Sequence, residues 1–96
     1  MPAYFVAELE TTNAAGMEPY RAAVPATIAQ YGGRYPARGG AAELMEGGPE
    51  PKRIVILEFA DTAAAKRWYN SPEYQKILLI RLANSTGRVF IVEGAR

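Results

Sequence analysis

Arg53-Ile54-Val55-Ile56-Leu57-Glu58-Phe59 is the most strand-like stretch of the chain, a run of β-branched and large apolar residues. The turn cluster Gly47-Gly48-Pro49-Glu50-Pro51 precedes it and Asp61 follows it. Of its two alternating rows, Val55, Leu57 and Phe59 are apolar throughout, and Ile54 and Ile56 lead to a carboxylate at Glu58. A strand that is apolar on both faces belongs in a sheet covered on both sides. Ala3 to Glu10 has the same character, with Tyr4, Val6 and Glu8 in one row and Phe5, Ala7 and Leu9 in the other.

Between these strands, Met17, Tyr20, Val24, Ile28 and Tyr31 recur at steps of three and four residues, one helical stripe. Pro19 suits a first turn, Pro25 predicts a kink or break, and Gly32-Gly33 ends the helix. Arg34 to Glu46 reads as an irregular strand with a bulge or bend at Gly39-Gly40. After Phe59, Asp61 is an N-cap for a short helix through Ala63-Ala64-Ala65 to Trp68 and Tyr69. Asn70 interrupts it, and Ser71-Pro72 restarts a helix carrying Tyr74, Ile77, Leu78 and Leu82. Arg88 to Glu93 closes the chain as a strand.

The order strand, helix, strand, strand, helix, strand predicts an α+β fold, a ferredoxin-like βαββαβ sandwich spanning residues 1–96 as one domain. Right-handed crossovers put both helices on one face of a four-stranded antiparallel sheet. The other face would then expose an apolar patch that needs a cover. An RNA-recognition sheet would carry aromatics on its central strands, whereas Ile54 to Glu58 offers aliphatics. The expected cover is a second copy, sheet against sheet, in a homodimer.

Composition narrows the chemistry. With eleven basic and ten acidic residues the net charge is +1, which gives no electrostatic footprint for nucleic acid. The longest apolar run, Ile77-Leu78-Leu79-Ile80, is far below the ~20 residues a bilayer needs, so no membrane partner is expected. No basic and apolar leader is legible at Met1-Pro2-Ala3-Tyr4, so the expected location is cytoplasmic. The absence of cysteine and histidine removes disulfides, thiolate nucleophiles, the usual zinc sites, haem ligation by histidine and imidazole acid–base catalysis. No metal or cofactor is expected, since no Walker or dinucleotide motif is present and the carboxylates are scattered.

Several stretches together resemble the family called domain of unknown function 1330: Tyr20-Arg21-Ala22-Ala23-Val24-Pro25, Tyr31-Gly32-Gly33-Arg34-Tyr35, Ala37-Arg38-Gly39-Gly40, Leu57-Glu58-Phe59, Trp68-Tyr69-Asn70-Ser71-Pro72-Glu73-Tyr74 and Arg81. The resemblance covers nearly the whole chain. It implies a small bacterial protein of the dimeric α/β-barrel superfamily, with a ferredoxin-like fold and a homodimer. Relatives in that superfamily include cofactor-free monooxygenases and muconolactone isomerases, but fold does not transfer function.

Five residues are candidates for a site. With Tyr74 at zero, Ile77, Leu78 and Arg81 fall at about 300°, 40° and 340° around the helix, which puts a guanidinium inside the apolar stripe. Arg81 would bind a carboxylate or enolate; the plainer alternative is a snorkelling or core-paired arginine. Glu58 ends a buried row. A hairpin turning near residue 49 places it opposite Gly40, or Arg38 after a bulge, and an antiparallel first strand brings Tyr4 alongside. An Arg38–Glu58–Tyr4 cluster would serve acid–base or anion-binding chemistry; the alternative is a register or interface ion pair. Trp68 beside small alanines reads first as core and second as a ligand wall.

Two functions of different class follow. One is a small-molecule site for an anionic or aromatic ligand in the cleft between sheet and helices. It would extend to a cofactor-free isomerase or monooxygenase-like enzyme, with Glu58 as base and Arg81 or Arg38 steadying an anion. The other is a non-enzymatic homodimeric structural or protein-interaction module in which the same charges hold the interface.

Overall fold

The computed structural model describes residues 1–95. It contains β1 (Ala3–Thr11), α1 (Ala14–Gln30), β2 (Arg34–Arg38), β3 (Arg53–Phe59), α2 (Thr62–Tyr69), α3 (Pro72–Asn84) and β4 (Ser85–Glu93). The four strands form one antiparallel sheet in the order β2-β3-β1-β4. The helices lie on one face of it, and the molecule is a slab 36 × 32 × 17 Å.

The ferredoxin-like sandwich closed by a second copy into a dimeric α/β barrel is corrected by the sheet itself. That sheet is open, β2 and β4 are its edges, and they do not pair with each other. Apolar rows on both faces imply that something meets each face, but they carry no information about closure. The outer face is simply partly exposed, with Phe90 at 43% and Val92 at 48%. The accessible surface, 6029 Å², accordingly exceeds the roughly 5,400 Å² that size scaling gives.

Local chemistry sets the element ends. Asn13, Asp61 and Ser71 cap the three helices by accepting from the N–H of Gly16, Ala64 and Tyr74. Pro72 occupies the first turn of α3, where no N–H is needed. Gly32 (φ 79°) reverses the chain after α1, and the Gly33 N–H returns to the Ile28 carbonyl at 2.9 Å. A β-carbon on Gly33 would sit 2.7 Å from the Phe59 ring, so this turn also brings α1 tightly onto the sheet.

Three sequence expectations shift. The first helix starts at Ala14, so Pro19 is interior, and it runs past Pro25 without a break. Val24 and Ile28, on either side of that proline, are both anchored in the core and hold the two segments in line. The second strand ends at Arg38 instead of continuing to Glu46, and its irregularity lies between Arg34 and Ala37, around Pro36. Proline cannot donate to the ladder, which suits this edge strand and explains the bulge there. The last strand begins at Ser85, directly after α3.

The core sits between sheet and helices. The inner row of β1 is Ala3, Phe5, Ala7 and Leu9, all buried. Trp68 is 1% exposed and lies 5.1 Å from Phe5, 5.6 Å from Phe59 and 4.1 Å from Tyr74 between ring centroids. Its Nε1–H donates to Thr27 Oγ1 at 3.0 Å, and Thr27 donates on to the Val24 carbonyl. This aromatic cluster fills one half of the interlayer space.

Candidate functional site

The other half is less filled. Small side chains on the sheet, Ala7, Val55 and Val89, face α1 and α3 across a cavity of about 120 Å³. That is below the ~300 Å³ of a drug-sized pocket. It resembles instead the engineered cavity of about 150 Å³ that accepts benzene, so a single ring fits.

The polar lining is one-sided. Arg21 from α1, Arg38 from β2, Arg53 from β3 and Arg81 from α3 all reach the cavity, with Tyr20, Tyr35, Tyr74 and Thr11. No aspartate or glutamate lines it. Arg21 donates to Thr11 Oγ1 at 3.1 Å, and the Arg38 guanidinium stands 4.4 Å from the centre of the Tyr35 ring. Arg53 packs against Gly39, where a β-carbon would come within 2.4 Å of its guanidinium carbon. Arg81 is only 6% exposed, and its Nε donates to Tyr74 Oη at 3.3 Å. Tyr74 Oη in turn lies 2.8 Å from Tyr20 Oη. Among the described residues no carboxylate pairs with any of the four arginines.

Burial, and next the neighbouring Tyr74 hydroxyl, push the Tyr20 phenol far above its ordinary value. Burial also raises Tyr35, with Arg38 working against it. Burial disfavours the Arg81 charge; Tyr74 and then Tyr20 oppose this and raise its pKa, mainly by a Coulombic attraction that exists only where those phenols are ionised. At neutral pH the cleft is therefore a cationic site in which the Tyr20 and Tyr35 phenols are protonated. It can bind an anion and donate hydrogen bonds, and among the described residues no carboxylate lines it.

The five sequence candidates separate into two groups. Arg81, Arg38 and Trp68 line the cavity. Glu58 and Tyr4 do face each other across β3 and β1, as the antiparallel pairing implies, but on the outer side of the sheet. There Glu58 forms an ion pair with Arg34. Arg38 stands opposite Val55 on the inner side, so the Arg38–Glu58–Tyr4 cluster does not form and Glu58 is no base for the cleft. The reason is register: the loop 39–52 is longer than a hairpin turning at residue 49, and Arg34 instead of Gly40 meets Glu58. Tyr74, Arg21 and Arg53 are site residues that the sequence reading did not single out, and Tyr20 stands on the first-helix stripe that it did read. Three signals were available: Arg21 sits four residues after Met17 on the same stripe, Arg53 begins the row Val55, Leu57, Phe59, and Tyr74 shares a stripe with Arg81.

A family model described as domain of unknown function (DUF1330) matches residues 2–95. The chain belongs to the DUF1330 family. The barrel superfamily expected along with that membership does not follow, because the sheet is open. Among solved structures, a Rhodopseudomonas palustris protein of unknown function is similar with a TM-score of 0.81 and 18% identity, covering 99% of this chain and 83% of that one. SnoaB, a cofactor-independent oxygenase from Streptomyces nogalater, has a TM-score of 0.70 and 20% identity over 99% of this chain and 94% of its own. HapK from Hahella chejuensis has a TM-score of 0.59 and 13% identity over 97% and 92%. At these identities the likeness concerns the fold. No functionally curated protein matches this DUF1330 chain, and no helix among the described residues is long and apolar enough to cross a membrane.

Proposed function

We propose that the cleft between sheet and helices binds a small anion carrying an apolar body of about one ring. The observation that carries this reading is the lining: four arginines and no carboxylate, with one of the arginines buried and lacking an acidic partner. Arg81 is buried and Arg21 half-buried, while Arg38 and Arg53 are exposed; like charges gathered around one small space repel each other, and an anion relieves that repulsion. The oxygenase among the structural relatives, described as cofactor-independent, supports a fold compatible with catalysis that needs no bound group. With no carboxylate in the lining, a ligand that arrives already ionised suits the cleft best.

The test is a titration with 4-nitrophenolate, followed by its absorbance and by thermal shift. Saturable binding is expected, weaker in high salt and weaker in Arg38→Ala and Arg53→Ala. A panel of small anions that leaves the melting temperature unchanged at millimolar concentration refutes the reading.

The outer face favours a second role. Tyr4, Val6, Ile54, Ile56, Phe90 and Val92 form an apolar band between two ion pairs, Glu58–Arg34 toward one end and Glu8–Arg88 toward the other. A near-neutral, self-complementary face of this kind suits a second copy of the chain. Sedimentation is expected to report a dimer that Phe90→Asp dissociates; a monomer at micromolar concentration removes this part of the proposal.

A further inference from the structure

We infer that the innermost part of the cleft, formed by Arg81, Tyr74 and Tyr20, is a carboxylate subsite that selects a planar, single-ring monocarboxylate and rejects the corresponding amide. This deepens the anion-binding reading and rests on it. Tyr20 and Tyr74 share one hydrogen bond, at 2.8 Å, although they own two hydroxyl protons. Whichever of them donates, one proton is left without an acceptor among the described residues. The Arg81 guanidinium uses only its Nε, toward Tyr74. Its terminal nitrogens have no acceptor there either. The one fully enclosed side-chain polar atom without a partner among the described residues is Thr62 Oγ1, so those nitrogens are open to the cavity that Arg81 lines.

The subsite thus has a surplus of donors: the terminal Arg81 nitrogens and one hydroxyl proton are free, and the phenol oxygens of Tyr20 and Tyr74 are its acceptors. A ligand group that suits it has acceptors only, and a planar fork matches two coplanar oxygens better than one. A carboxylate meets both conditions. A phenolate offers a single oxygen, and a carboxamide brings one oxygen, no charge, and an NH₂ that cannot accept from the surplus donors. The walls beside the fork, Trp68, Tyr74 and Phe5, are flat aromatic surfaces, and the 120 Å³ of space limits the body to about one ring.

Benzoate and benzamide, equal in shape and different in this one respect, are the probes, titrated calorimetrically against the intact protein. Benzoate is expected to bind at least about tenfold more tightly, as the loss of a charge-assisted hydrogen-bond pair implies. Arg81→Lys keeps the charge and removes the fork, and is expected to cost benzoate about tenfold while leaving benzamide unchanged. The double substitution Tyr20→Phe/Tyr74→Phe removes both hydroxyl protons with little change of volume and is expected to weaken benzoate severalfold, so the test stands even where the lysine variant does not fold. Equal affinity for the two probes, or benzoate binding indifferent to both substitutions, overturns the inference. If 4-nitrophenolate binds and benzoate does not, the carboxylate subsite falls and the anion-binding reading stands; if neither binds, both fall.

Discussion

Substituting Arg81 by methionine separates a residue kept for binding from one kept for folding. The side chain is 6% exposed. Its only polar partner among the described residues is Tyr74 Oη, at 3.3 Å, and no carboxylate neutralises it. Withdrawing a guanidinium from water costs several kcal/mol after relaxation. One long hydrogen bond to a neutral hydroxyl returns about 1–2 kcal/mol. Methionine keeps the unbranched apolar stem and removes the charge, while Tyr74 keeps its bond to Tyr20. Arg81→Met is therefore expected to be about 1–2 kcal/mol more stable, a rise in Tm of roughly 4–16 °C for a domain of this size. The assay is urea denaturation at neutral pH and fixed protein concentration, with an unchanged m-value as the sign that both states keep their surface. A loss of more than about 1 kcal/mol refutes the reasoning and makes Arg81 a structural residue.

Other substitutions test the frame that holds the site. Thr27→Val keeps the shape of the side chain but leaves the buried Trp68 N–H without its acceptor, and is expected to cost about 1–3 kcal/mol in urea denaturation; a cost near zero means that the bond contributes nothing. Gly87 has φ 143°, and a β-carbon there would lie 2.1 Å from the Glu8 carbonyl oxygen on the neighbouring strand, so Gly87→Ala is expected to lower Tm by at least roughly 8 °C. Buried Tyr20, whose pKa is raised above its unfolded value, contributes stability that is complete below about pH 10 and declines as pH rises beyond it; Tyr20→Phe is expected to flatten that alkaline decline in a series of thermal melts. The hydrogen bond from Tyr31 lowers the Glu73 carboxyl pKa, so the pair's stability is present above the ordinary carboxylate pKa and lost as pH falls through the lowered one. Tyr31→Phe is expected to move Glu73 back toward its ordinary value in an NMR titration, and an unmoved Glu73 rejects the coupling.

Much of the framework was readable in the residues. The β3 run, the Asp61 and Ser71-Pro72 starts and the Gly32-Gly33 stop all act within a few residues of themselves, through i to i+3 hydrogen bonds and backbone preferences. Arg81 was conspicuous for the same reason, since 100° per residue suffices to put it on the buried stripe of α3. The site was legible only in part. Arg38 and Glu58 both stand in β-rows, but which face each takes depends on how β2 pairs with β3, and a one-residue slip exchanges the faces. The loop 39–52 carries little periodic signal, so nothing local reveals where β2 stops or that the ladder shifts near Pro36.

The division between the two kinds of knowledge is physical. Helix caps, turns and the amphipathic stripes answer to neighbours along the chain, so the amino-acid order specifies them. The cleft exists because Ala7, Val55 and Val89 from three strands fall opposite α1 and α3 while Trp68 fills the adjoining space. Arg38 and Arg53 reach it, and Glu58 is excluded, because strand register assigns each side chain a face, while α1 and α3 bring Arg21 and Arg81 from across the cleft. Those relations join residues dozens of positions apart, and only packing in three dimensions brings them into contact.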